Sequence, residues 1–160
     1  MNKGYFLILQ NIRSAENVGA MFRTADAFGV EKIYLTGYTP APLDRFKRPV
    51  YKIAKAALGA EKTVLWERVT DISHCVNTVK QVGMRVVALE QDRRAVPLGA
   101  YVPPASWALV VGNEVTGIEA DVLALVDDIV DIPMIGQKES LNVAVAAGIA
   151  LYVLSNSPHR

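Results

Sequence analysis

The sequence is short of the residues that announce several kinds of chemistry. It holds one cysteine, Cys75, so no disulfide can close within the chain, and a lone thiol fits a reducing, cytoplasmic setting. Its two histidines, His74 and His159, share no metal-ligand spacing, and no metal is expected. No apolar run of about 18 residues goes without a polar break, which argues against a membrane span. Met1-Asn2-Lys3-Gly4 leads straight into a strand-like segment and has no signal-peptide profile. An excess of either charge is also missing: 17 Lys and Arg face 16 Asp and Glu. That excludes a strongly basic coat but not a local patch able to bind nucleic acid. The turn Val111-Gly112-Asn113-Glu114-Val115-Thr116-Gly117 lacks both the Gly-x-Gly-x-x-Gly of a dinucleotide fold and the Gly-Lys-Ser/Thr of a P-loop. Glu114 would repel a phosphate there, and would tolerate or favour a cationic ligand.

What is present is a chain of 160 residues, 51% hydrophobic, enough for one domain that buries roughly two-thirds of its unfolded surface. Apolar runs of strand length lie at 5–9, 32–36, 63–66, 85–90, 108–111 and 129–132. Between them lie segments of helical spacing. In the first, Val18, Met21, Phe22, Ala25 and Phe28 keep one stripe, Ser14 or Asn17 caps the start, and Gly29 ends it. Residues 50–58, a segment from Asp71 to Gly83, and 119–126 supply the next three. Residues 37–49 and 91–106 are rich in Gly and Pro and read as loops, the second with at most one short edge turn. The alternation predicts one α/β domain with a mostly parallel six-stranded sheet and helices on both faces.

The last strand runs into Pro133, a loop containing Gly136, and a helix that Ser140 is placed to cap. Such a strand, tight loop and helix N-terminus can be an ordinary turn or a place where backbone amides meet a ligand. The helix is apolar all round, with Leu141, Val145, Ile149 and Tyr152 on one side and Val143, Ala147, Ala150 and Leu154 on another. A helix of that kind must be covered all round, so a two-fold homodimer is expected. Arg23 lies off the first helix's stripe, among the small residues Gly19, Ala20 and Ala27. It reads either as a solvated surface arginine or as one with room to receive something outside its own helix. Arg45, Lys47, Arg48, Lys52 and Lys55 gather within eleven residues, opposed only by Asp44. They are either phosphate contacts or ordinary solvated charge.

Three segments in this order resemble the SPOUT superfamily, in its SpoU branch of RNA 2′-O-ribose methyltransferases. They are N-I-R-S-x-x-N-V-G-A-x-x-R-T-A at 11–25, L-V-V-G-N-E-V-T-G-I at 109–118, and I-P-M-x-G-x-x-x-S-L-N-V-A at 132–144. They span most of the chain, and their joint occurrence is far more specific than any single motif. The usual pattern has Ser where this chain has Ala144, a difference without expected consequence. The resemblance implies a deep C-terminal trefoil knot whose loops bind S-adenosylmethionine at a homodimer interface, and methylation of a ribose 2′-hydroxyl in tRNA or rRNA. A single domain without an accessory RNA-binding domain is expected, which would slightly favour tRNA.

Carried onto this sequence, the cofactor residues would be Leu89, Glu90, Gly112, Asn113, Glu114, Gly117, Ile132, Pro133, Met134, Ser140, Leu141 and Asn142. Core packing remains the better reading for Val110 and Val143. Arg23 would be catalytic, with Asn17, Glu114, Ser140 and Asn142 around it, and Arg13, Arg23, Arg45, Lys47 and Arg48 would contact RNA. Within this set Glu114 also has a competing role as a hydrogen-bond partner of backbone. Ser140 and Asn142 suit holding the loop and cofactor better than chemistry. The alternatives are a non-catalytic RNA-binding module on the same fold, or an unrelated nucleotide-binding α/β protein.

Overall fold

The computed structural model describes residues 4–160, so the reading of Met1 to Lys3 lies outside the described residues. The strands are β1 (Tyr5–Gln10), β2 (Lys32–Thr36), β3 (Leu65–Val69), β4 (Arg85–Leu89), β5 (Val96–Pro97), β6 (Trp107–Val111) and β7 (Asp128–Asp131). The helices are α1 (Ala15–Ala27), α2 (Tyr51–Ala57), α3 (Ala60–Thr63), α4 (Ile72–Gln81), α5 (Ala120–Leu123) and α6 (Val143–Asn156). One sheet takes all seven strands, in the order β3-β2-β1-β6-β4-β7-β5. Every pairing is parallel.

The expected count of six strands is corrected to seven. The extra one, β5, is two residues long and pairs Val96 with Val130 and Pro97 with Asp131 at the sheet edge. A proline is harmless at an edge, where its missing N–H breaks no ladder, and two residues are too few to leave a periodic signal. β3 begins at Leu65 because the residues just before it close the single helical turn α3.

Alternation along each strand builds two cores. Leu7 and Leu9 of β1 point to one face and join Phe22, Ile53 and Leu151; Ile8 points to the other and joins Val76, Val79 and Val122. Helices α1, α2, α3 and α6 therefore cover one face and α4 and α5 the other, as the pattern predicts. Leu7, Ile8 and Leu9 are all wholly buried, which is why that stretch reads as continuously apolar.

Capping sets where the helices begin. Ser14 accepts from the Asn17 N–H at 3.1 Å to start α1, and Gly29, at φ 74°, turns the chain after it. Asp71 caps α4 through the N–H groups of Ser73 and His74. For α6 the cap is Asn142, not Ser140: its side-chain oxygen accepts from Ala144 N at 2.9 Å and Val145 N at 3.2 Å. Leu141 consequently precedes the helix instead of belonging to its outer stripe. Gly19 is small for a reason unrelated to Arg23. A Cβ there would sit 2.5 Å from the Ile53 carbonyl oxygen and 2.8 Å from Ala56 Cβ, so the residue lets α2 close on α1. In a parallel sheet the loops after the strands all emerge at one edge, and the site lies there.

Candidate active site

Loops after β4, β6 and β7 enclose a cleft of about 540 Å³. Ten of the expected cofactor residues line it: Leu89, Glu90, Gly112, Asn113, Glu114, Gly117, Ile132, Met134, Ser140 and Leu141. Pro133 and Asn142 do not. Pro133 is exposed beside the cleft, and Asn142 is occupied with capping α6. Val110 is wholly buried as expected, whereas Val143 is half-buried and contributes to the cleft wall.

The loop after β6 is shaped from within. Asn113 Oδ1 accepts from Val115 N at 2.8 Å and Thr116 N at 2.9 Å, while its Nδ2 donates to Asn11 O and to the Tyr38 hydroxyl. Gly117, at φ 70°, donates to Asn113 O at 3.0 Å and closes the turn. At Gly112 a Cβ would run into the Gly117–Ile118 peptide group, 2.5 Å from Ile118 N. Only glycine allows that approach. Glu90 braces the loop from the neighbouring strand, accepting from Ile118 N at 2.8 Å and from Gln91 N at 2.9 Å. Asn113 and Glu90 thus shape the cleft instead of presenting free polar groups to it.

Glu114 reaches out of this loop to the head of α1. Its two carboxylate oxygens accept from Arg13 N at 3.1 Å each, and one also accepts from Ser14 N at 3.2 Å and Asn17 Nδ2 at 3.4 Å. Burial pushes the carboxyl up, but its own N–H and those of Arg13 and Ser14, with the Asn17 amide, outweigh burial and hold it below the ordinary glutamate range. Asn17 continues the chain, because its Oδ1 accepts from Asn142 Nδ2 at 3.3 Å. Glu114, Asn17 and Asn142 come from the three separate motif segments, and this relay ties all three together beside the cleft.

Arg23 is not in that cluster. It is exposed on α1, does not line the cleft, and its side chain makes no hydrogen bond or ion pair among the described residues. Ser140 is exposed on the cleft lip. Arg13 is exposed at the head of α1, and Arg45, Lys47 and Arg48 are exposed in the loop after β2, with Arg48 paired to Asp44 at 3.0 Å.

Other residues of the cleft escaped the sequence reading. Gln91 Nε2 donates to the Glu139 carbonyl at 2.7 Å and ties the loop after β4 to the loop after β7. Gln91 stands outside the motifs and Glu139 at an unspecified position of the third, so no spacing marks them. Asp131 also lines the cleft, and its Oδ1 is buried with no hydrogen-bond partner. A donor on a bound molecule would satisfy it.

A second, apolar groove runs between α1 and α6, lined by Ala20, Thr24, Phe28, Val145, Ile149 and Tyr152 among others. Val145 is 52% and Tyr152 57% exposed, with the Tyr152 ring edge-on to Phe28 at 5.7 Å. Among the described residues no His, Cys, Asp and Glu group could hold a metal, and no helix is long and apolar enough to cross a membrane.

Residues 4–152 match the model of the SpoU rRNA Methylase family. Over 146 residues the chain is 34% identical to the 23S rRNA (guanosine-2′-O-)-methyltransferase RlmB of Neisseria meningitidis serogroup B, covering 91% of this chain and 55% of that protein. It is 33% identical over 144 residues to the tRNA (guanosine(18)-2′-O)-methyltransferase of Escherichia coli K12, covering 90% of this chain and 59% of that one. The chain thus spans somewhat more than half the length of these two curated relatives. The AdoMet-bound rRNA methyltransferase from Sinorhizobium meliloti superposes with a TM-score of 0.84 at 26% identity, over 96% of this chain and 56% of that one.

Proposed function

The chain belongs to the SpoU rRNA methylase family, and on that premise we propose that it transfers a methyl group from S-adenosylmethionine to a ribose 2′-hydroxyl of tRNA or rRNA. The observation that carries the reading is the meeting of the three motif segments through Asn17 beside one cleft. The residues present suit the donor. Leu89, Ile132, Met134 and Leu141 give apolar walls, Gly112 allows backbone approach, and Asp131 offers an acceptor without a partner. Bound there, S-adenosylmethionine supplies a methyl group made electrophilic by its positively charged sulfur.

Arg23 has the role of orienting the attacking hydroxyl and stabilising the negative charge that develops on its oxygen. A guanidinium stays protonated at any working pH, which makes it a better charge stabiliser than base. Asn17, Glu114 and Asn142 hold the loops in place around the reaction. Ser140, on the lip, is left to meet ligand. Because Arg23 does not line the cleft of its own chain, it acts over a cleft completed by a second copy. The exposed stripe of Val145, Ile149 and Tyr152 beside α1 supplies the surface for that homodimer. A C-terminal trefoil knot and a cytoplasmic location belong to the same reading.

A thermal-shift comparison tests the proposal cheaply. Saturating S-adenosylmethionine raises the melting temperature of the purified protein and NAD leaves it unchanged. A shift with NAD alone, or with neither, removes the methyltransferase reading.

A further inference from the structure

The loop after β2, residues 37–50, is ordered by its own polar contacts and exposes the aromatic ring of Phe46. Asp44 accepts from Phe46 N at 2.8 Å and Arg48 N at 3.0 Å, and its own N–H donates to Arg48 O at 2.9 Å. Leu43 and Pro49 pair across the base, and Val50 N donates to Pro42 O. Lys47 sits at the apex with φ 60°, a left-handed conformation that a non-glycine residue rarely adopts. This well-determined turn leaves Phe46 61% exposed, so burial of the ring is not what orders the loop. The guanidinium carbons of Arg45 and Arg48 lie 4.7 and 4.9 Å from the ring centroid. Arg48 is paired with Asp44, whereas Arg45, Lys47 and Lys52 make no ion pair among the described residues.

The position of the loop connects it to the cleft. Tyr38, 58% exposed, accepts from Asn113 Nδ2 at 2.9 Å, so the start of this loop touches the loop that forms the cleft wall. β2 lies two strands from β6, so this loop starts about 10 Å from the cleft loop along the same sheet edge. A strand of nucleic acid with one ribose at the cleft reaches the start of this loop within a few nucleotides.

Resting on the RNA-methylation reading above, we propose that Arg45, Phe46 and Arg48 form a stacking platform for an unpaired nucleotide of the substrate, a few positions from the methylated ribose. The base stacks on the aromatic and guanidinium faces, and Lys47 and Lys52 take the neighbouring phosphates. An exposed ring with guanidinium groups layered over it suits a nucleobase, and unpaired lysines suit its phosphate. A duplex hides its base faces and gains only the phosphate contacts. The platform therefore selects substrates whose target lies in a loop or single-stranded segment.

Fluorescence anisotropy with a labelled 12-nucleotide oligouridylate and a labelled 12-base-pair RNA duplex tests this. The full chain binds the single strand at least fivefold more tightly than the duplex. Phe46→Ala loses about tenfold on the single strand with an unchanged salt slope, Phe46→Trp restores it, and Lys47→Ala lowers the salt slope by about one. Equal affinity of Phe46→Ala and the parent, equal weakness of the Ala and Trp variants, preference for the duplex, or binding of neither RNA would each overturn the platform. Calorimetric binding of S-adenosylmethionine by the same preparations separates the two readings. If the donor binds and Phe46 has no effect, the platform alone fails. If the donor does not bind, the methyltransferase reading fails while the effect of Phe46 is judged on its own.

Discussion

Glu114→Gln decides whether this carboxylate serves the bound ligand or the protein. In the structure it accepts two backbone N–H groups and one side-chain amide at the head of α1. Gln keeps one acceptor oxygen but turns an NH₂ toward donors. Hydrogen bonds to a charged group contribute about 1.5–3 kcal/mol each, and the partial exposure of this site lets water replace part of that. The expected net loss is about 2 kcal/mol. For a domain of this size that is a fall of about 4–8 °C in melting temperature at pH 7 without any ligand. The pH dependence has a definite sign. The folded carboxyl titrates below its ordinary value, so its contribution is complete above the unfolded value of about 4.3 and is lost as pH falls through the folded value. The gap between parent and Glu114→Gln is therefore full at pH 7 and shrinks below about pH 4. Urea denaturation across pH 3.5–7 measures it. A variant as stable as the parent at pH 7, but with S-adenosylmethionine affinity lost, would show instead that Glu114 acts on the cation directly.

Gly112→Ala forces a Cβ to within 2.5 Å of Ile118 N, where only backbone could move. Calorimetry should show donor affinity lowered more than tenfold, with stability reduced by about 1–3 kcal/mol. Ile149→Asp places a charge on the exposed apolar stripe of α6. Light scattering should report twice the 17.4 kDa chain mass for the parent and the single-chain mass for the variant; a monomeric parent counts against the dimer. Cys75 is buried and burial pushes its thiol up to about 12, so it should not react with a thiol reagent at pH 8 until the protein unfolds.

Much of this architecture is written in local pattern. The run at 5–9 reads as continuously apolar because Leu7, Ile8 and Leu9 are buried on both faces, and Asp71 and Ser14 announce their helices by capping chemistry that needs no tertiary context. The second and third motifs hold most of the cleft wall, and the first stands beside it. What escaped depends on partners distant in sequence. Gln91 and Glu139 matter because two loops approach each other, and Gly19 because α2 arrives. Ser140 and Asn142 are both good caps on paper, and the path of the chain along the cleft lip decides between them. Arg23 shows the same limit most sharply, since its distance from its own cleft follows from packing that no spacing records.

Transfer of a labelled methyl group from S-adenosylmethionine to RNA, located by nuclease digestion and mass spectrometry, tests the central claim most directly, with the parent and Arg23→Ala compared side by side. The account predicts label on ribose 2′-oxygens with the parent, and at least a hundredfold less with Arg23→Ala despite donor affinity within a few-fold. Label confined to bases, or near-normal turnover by Arg23→Ala, would contradict it.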